Sequence, residues 1–289
     1  MSRIAILSDS VACLGQEQIE RYAIRVLPLN FVFEGKVYRD HVDIAPSEAY
    51  RFLEKDPEAF LTSPSSPGDY LAVYRELSRE ADGILCVSLS SKLSTLCNSA
   101  QVAKELVSKE LPSTRIVVLD TETAAAGEAL IVLAAAQAVA EGKSLDEVAG
   151  VAEGVKERVR VLVVLETIRH VYRSGRIPKV ASQVGSILPL KPILTISSSD
   201  SKGFVHFAGA TTTKQKGVER IVRMMKKSVG TQSPVHVAVF HANALEEGEK
   251  LKQRVSSEFN CVELFLTEFS PVMGYATGQG VVGLSFYPD

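Results

Sequence analysis

The sequence predicts a two-domain α/β protein: an N-terminal domain on a parallel sheet, then a C-terminal domain on a mixed sheet. Three observations lead there. Short apolar runs alternate with helical patterns through the first half, which is the signature of βαβ units. In the second half, two apolar runs flank the turn-like "SSSDSKG" at 197–203, which calls for an antiparallel pair. The chain has 289 residues, 46% of them hydrophobic, more than one typical domain needs and ample for a sizeable core.

In chain order, "RIAIL" at 3–7, "GILCVSL" at 83–89 and "RIVVLD" at 115–120 read as buried strands, each followed by a helix candidate. "LNFVFEGKVYRD" at 29–40 reads as a hairpin turning at Glu34-Gly35-Lys36. In "LTSPSSPGDYL" at 61–71, Ser66 suits a helix N-cap and Pro67 the first helical position. That leaves Thr62 and Ser63 unexplained, on a segment whose prolines suit a strand poorly. "AAAGEALIVLAAAQAVA" at 124–140 is interrupted by Gly127, Glu128 and Gln137, and reads as a buried helix rather than a membrane span. A second helix follows at 144–159, opened by Ser144, and then a strand at 160–166. The domain boundary is placed near 155, giving domains of 1–155 and 156–289. Beyond it, strands are expected near 192–197, 203–209, 235–241, 261–267 and 281–287. Helices are expected at 166–174, 179–187, 213–229 and 243–258.

Composition narrows the function. The net charge is −2, with Lys and Arg scattered, so neither nucleic acid nor a polybasic membrane anchor is expected. Cys13, Cys86, Cys97 and Cys261 lack metal-ligand spacing and read as reduced thiols of a cytoplasmic protein. The N-terminus runs straight into a strand pattern without the apolar core of a signal peptide. There is no Walker A loop, no G-x-G-x-x-G and no G-x-S-x-G, so no cofactor and no catalytic residue is expected. Asp40, His41 and Asp43 form the one compact His/Asp group, and a solvated loop is the safer reading than a metal site.

Hydroxyls are the residues left over. "SDS" at 8–10, "SLSSKLSTLCNSA" at 88–100 and "DTETAAAG" at 120–127 follow predicted strands, and "TSPSSPGDY" at 62–70 precedes a helix. Ligands of open α/β sheets bind beyond the carboxyl ends of strands, where hydroxyls and helix N-termini suit an anion. Arg173 and Arg176 in "YRSGRIPK" offer guanidinium forks for the same purpose. The residues alone also leave open a phosphotransferase or hydrolase acting on a small acidic substrate between the domains.

These segments, with "LPLKPILTI" at 188–196 and "GYATGQGVVGLSFY" at 274–287, occur in an order that resembles the DegV family across effectively the whole chain. The resemblance implies a non-enzymatic binder of one long-chain fatty acid such as palmitate. It also implies a possible partner, the kinase subunit of a bacterial fatty acid kinase, or a role in lipid transport. Position by position, it puts Thr62, Ser63 and Ser94, with Thr95 beside it, on the carboxylate. Arg176 matches the arginine of the family's Gly-Gly-Arg-Ile stretch and Lys191 the lysine of its Lys-Pro-Ile-Leu strand. The chain departs from the pattern at Ser174, which replaces a glycine, at Thr95-Leu96-Cys97 and at Ala276, where the family often has histidine.

Overall fold

The computed structural model describes residues 3–176 and 190–289; the helix expected at 179–187 lies outside the described residues. Four parallel strands form the first sheet: β1 (Ile4–Asp9), β2 (Arg25–Leu27), β6 (Gly83–Ser88) and β7 (Arg115–Asp120), in the order β2-β1-β6-β7. Every residue of β6 is buried, as the unbroken apolar run "GILCVS" requires of a strand covered on both faces.

Between β2 and β6 the chain makes a small antiparallel sheet, β4-β3-β5. The predicted hairpin is β3 (Asn30–Phe33) and β4 (Lys36–Arg39), turning at Glu34 and Gly35, both at positive φ. The third strand corrects the sequence reading. Leu61–Ser63 is a strand, β5, paired antiparallel with Asn30–Val32, and the pairing stops where Pro64 has no N–H to give. Ser66 caps helix α3 (Pro67–Leu77) by accepting from Asp69 N–H at 3.3 Å, with Pro67 in the first turn.

The second sheet has six strands in the order β10-β9-β8-β13-β11-β12. They are β8 (Arg160–Val164), β9 (Lys191–Ser197), β10 (His206–Thr211), β11 (Val235–His241), β12 (Cys261–Glu268) and β13 (Val282–Pro288). Only β11 and β12 run parallel; the other pairs are antiparallel. The strand expected at 203–209 begins later, at His206. A short helix at Ser198–Ser201, capped by Ser197, is followed by Lys202 and Gly203 at positive φ, and this lengthens the turn.

Among the described residues, two helices lie between the sheets and pack on both. One is α5 (Ala126–Ala140), packed on β1 and β6 of the first sheet and on β8, β11 and β13 of the second. The other is α6 (Leu145–Arg158), beside α5 and against strands of both sheets. Helices α3 and α4 (Leu96–Val107) contact the first sheet. The second sheet is covered by α9 (Lys214–Val229) and α10 (Leu245–Glu258), through Ile221, Met225, Leu251 and Val255. The resulting order of layers explains why α5 has no polar stripe. Leu130, Ile131, Val132 and Leu133 are four consecutive residues, pointing in all directions around the helix, and all are buried.

Gly127 lets α5 approach the second sheet. A Cβ added there would lie 2.6 Å from Thr123 Oγ1 and 2.7 Å from Val161 Cγ2, both on short β-branched side chains with little freedom to move. Gly127→Ala gains helix propensity of up to about 1 kcal/mol, yet overpacking of this kind costs about 1–3 kcal/mol. The expected outcome is net destabilisation, read as a lower urea midpoint at unchanged m-value. A midpoint at or above the wild type's contradicts the close approach.

Candidate functional site

A cavity of about 470 Å³ lies between the two sheets, within the size range of small-molecule sites. Its position follows from strand direction. Val11, Leu89, Ala124 and Ala125 reach it from the segments that leave β1, β6 and β7, beyond the carboxyl ends of three parallel strands. The opposite wall is the second sheet. Strand alternation turns Val161 and Val163 toward the cavity, while Leu162 and Val164 join the core beneath α9 and α10. Phe240, Phe269 and Leu194 add to the apolar surface, and Met273 and Tyr275 contribute from α11 (Pro271–Thr277).

The polar lining is sparse. Thr62, Ser94, Thr95 and Arg176 all border the cavity, so four of the five residues singled out from sequence meet there although they come from β5, the β6–α4 loop and the end of α7 (Arg169–Ser174). Ser63 does not line it. With Leu61 and Ser63 exposed and Thr62 half-buried, the alternation of β5 turns Ser63 away from the face that Thr62 presents. Lys191 is also engaged elsewhere, its Nζ 2.5 Å from Glu166 Oε2. Ser91, Ser174, Thr195 and Thr277 line the cavity without having been singled out. All four lie inside motifs quoted from the sequence, Ser91 in "SLSSKLSTLCNSA", Ser174 in "YRSGRIPK", Thr195 in "LPLKPILTI" and Thr277 in "GYATGQGVVGLSFY", but the motifs do not mark which of their residues face the cavity.

Local geometry says what these groups offer. Ser94 Oγ accepts from Leu96 N–H at 3.4 Å at the start of α4, which leaves its own proton to donate. Thr95 stands at the N-cap position of α4 but makes no side-chain cap bond. Arg176 is exposed and donates from Nη1 to the Ser174 carbonyl at 2.7 Å. Ser65, by contrast, is spent on structure, donating to the Pro28 carbonyl at 3.1 Å. The arrangement is an apolar space bordered by hydroxyl donors and one guanidinium, suited to an apolar ligand bearing an anionic group.

Other candidates resolve into structural roles. His241 is buried and its Nδ1 accepts from Ala244 N–H at 3.3 Å, beside the start of α10. Asp40, read from sequence as part of a solvated loop, is fully buried and accepts from Ser10 Oγ at 2.7 Å, while Asp43 pairs with Arg39. Among the described residues, no group of three or more His, Cys, Asp or Glu is placed to hold a metal ion. None of their helices is long and apolar enough to cross a membrane.

A cavity enclosed between a parallel and a mixed sheet, in this strand order, defines an α/β architecture shared with known proteins. A family model described as an uncharacterised protein of the DegV family matches residues 3–289. A DegV domain-containing protein of Clostridium acetobutylicum is 30% identical over 290 residues, covering 99% of each chain. The structure of a DegV family protein from Thermus thermophilus, described by its fatty acid binding, superposes with a TM-score of 0.89 at 30% identity, covering 99% of this chain and 100% of that one. Bacillus subtilis DegV, described as a fatty acid binding protein, superposes with a TM-score of 0.90 at 26% identity over 100% of both chains. The chain belongs to the DegV family.

Two buried carboxyls lie next to the cavity wall. Burial pushes the Asp9 carboxyl up to about 6, against the pull of the backbone N–H groups of Leu89 and Val11. Glu128 is pushed well above the ordinary carboxylate range, first by burial and then by the Asp9 charge. Glu128 therefore holds its proton when folded and gives it up when unfolded above its ordinary value of 4.5. Its stabilising contribution is complete below that value and is lost as pH rises toward the raised folded one. Above its ordinary value, for as long as the folded protein keeps this proton, the group should lower stability by up to about 1.4 kcal/mol per pH unit. Glu128→Gln should flatten the wild-type slope by that amount in urea unfolding across the same range. An equally steep variant would show that Glu128 titrates normally.

Proposed function

We propose that the chain binds one long-chain fatty acid, such as palmitate, in this cavity, with its carboxylate held by Thr62, Ser94, Thr95 and Arg176. The observation that carries the reading is the meeting of those four residues on a single, mostly apolar cavity. Fatty acid binding by the Thermus thermophilus and Bacillus subtilis family members supports it. An acyl tail of about 14 methylenes, at about 0.8 kcal/mol each, contributes on the order of 10 kcal/mol before association costs. The tail thus supplies affinity and the hydroxyls supply orientation. The protein acts in the cytoplasm as a carrier without catalysis of its own. It transports the acid or presents its carboxylate to a separate kinase subunit that forms the acyl phosphate. Ala276, in the position where the family often has histidine, leaves the head group to the hydroxyls and the arginine.

Organic extraction of the purified protein should yield one long-chain fatty acid per chain. A lipid-free protein that also takes up no added palmitate overturns the reading. Ser94→Ala removes one hydrogen bond to a charged group, worth about 1.5–3 kcal/mol, so the variant should still retain lipid, about ten- to a hundredfold more weakly. Acyl-phosphate formation with a fatty acid kinase should fall further, because a misplacement of about 1 Å in the attacking oxygen costs about a hundredfold in rate. Equal losses in affinity and turnover would make Ser94 an affinity contact only.

A further inference from the structure

The triplet Ser8-Asp9-Ser10 stands at the end of β1, where the sequence offers it as a set of anion donors. In the structure all three residues are buried, with 2%, 1% and 4% of their surface exposed, and none of them lines the cavity. Their side chains are used inward. Asp9 Oδ1 accepts from Val11 N–H at 2.9 Å, and Asp9 Oδ2 accepts from Leu89 N–H at 3.1 Å. Ser10 Oγ accepts from Leu29 N–H at 3.1 Å while donating to Asp40 Oδ2 at 2.7 Å. Ser8 Oγ donates to Glu128 Oε1 at 3.4 Å, and Glu128 bonds to Asp9.

The three backbone groups held this way belong to Val11, Leu29 and Leu89, and each of these residues lines the cavity. All three lie past the ends of their strands, where the sheet ladder has no partner for their N–H groups. We infer that Ser8-Asp9-Ser10 is a positioning device that fixes three separate pieces of the cavity's apolar wall and so determines which tail length the cavity accepts. This rests on the fatty acid reading above and adds to it the residues that set selectivity. A buried polar cluster is a poor source of stability compared with apolar packing of the same volume. What this one supplies is geometry: both Asp9 oxygens are used, one on the segment after β1 and one on the segment after β6, and Ser10 ties in the segment before the hairpin.

Asp9→Asn is the discriminating change. A carboxamide has one acceptor oxygen, so in either orientation its NH2 group faces the N–H of Val11 or of Leu89, and one wall segment is released. Ser10→Ala releases Leu29 by a smaller change and serves if the first variant does not fold. Glu128→Gln keeps a donor toward Asp9 and is the conservative control. Affinities of the delipidated proteins are to be measured for saturated acids from dodecanoic to eicosanoic. Burying one methylene is worth about a fourfold change in affinity, so the wild-type profile should be sharply peaked. Asp9→Asn and Ser10→Ala should flatten it, reducing the preference between neighbouring lengths by about that factor per carbon. Glu128→Gln should keep the wild-type profile, and Ser94→Ala should weaken all lengths equally. If wild type binds while folded Asp9→Asn and Ser10→Ala keep its profile, or lose affinity evenly at all lengths, the triplet is merely structural and this inference is overturned alone. If wild type binds none of the acids, the fatty acid reading is overturned, and this inference with it.

Discussion

The burial of α5 between two sheets is the constraint on which the remaining structure depends. An amphipathic helix stabilises itself against one layer and leaves a face to water, but α5 has almost no such face. Each of its large side chains gains about 1.5–3 kcal/mol from burial, and the gain requires both sheets to be in place. The parallel and mixed sheets therefore share a core through this helix, and their separation is set by its diameter. Ahead of its N-terminus, among the described residues, no helix fills the gap between the sheets, and there the cavity lies. Ala125, a cavity-lining residue at the helix cap, has φ 55° and ψ −136°. A non-glycine residue in that region is strained by about 1–3 kcal/mol and is held there by its surroundings.

The two sheets contribute differently to the site because of their connectivity. Parallel strands all end on the same side, so the first sheet delivers loops and hydroxyls to one edge. The second sheet delivers a continuous face of side chains, alternate residues of β8 pointing to the cavity and to the outer helices. The combination gives an apolar space with donors from short, separately anchored segments. Ser94 illustrates the economy of this design: one lone pair organises the start of α4, and the proton remains free to donate.

Much of the fold was legible because it is local. The strand at 115–120 and the strand at 235–241 follow directly from apolar runs, and Ser66 and Ser144 announce their helices through capping chemistry. The site was legible in part. Thr62 and Ser63 look equivalent in the sequence, and only the pairing of β5 with β3 assigns them to opposite faces. Residues 8–10 drew notice as hydroxyls after a strand, yet their partners lie far along the chain. Ser10 meets Asp40 across 30 positions, Asp9 meets Leu89 across 80, and Ser8 meets Glu128 across 120. No local pattern encodes such pairings, so the triplet reads as ligand-facing until the tertiary structure shows where its bonds go.

The strand order of the second sheet bears on how the protein comes into being. β13, the latest of its strands in the sequence, sits in the middle of the sheet between β8 and β11. Before it inserts, β8-β9-β10 and β11-β12 are two separate pieces, and the second surface that α5 buries against is incomplete. α11, which carries Met273 and Tyr275 to the cavity, also lies near this end of the chain. On the ribosome, then, the first sheet can form early, but a half-made chain carries an apolar helix covered on one side only. Long-range pairings of this kind close slowly. The space between the sheets is therefore walled on both sides only once the last of these strands is in place.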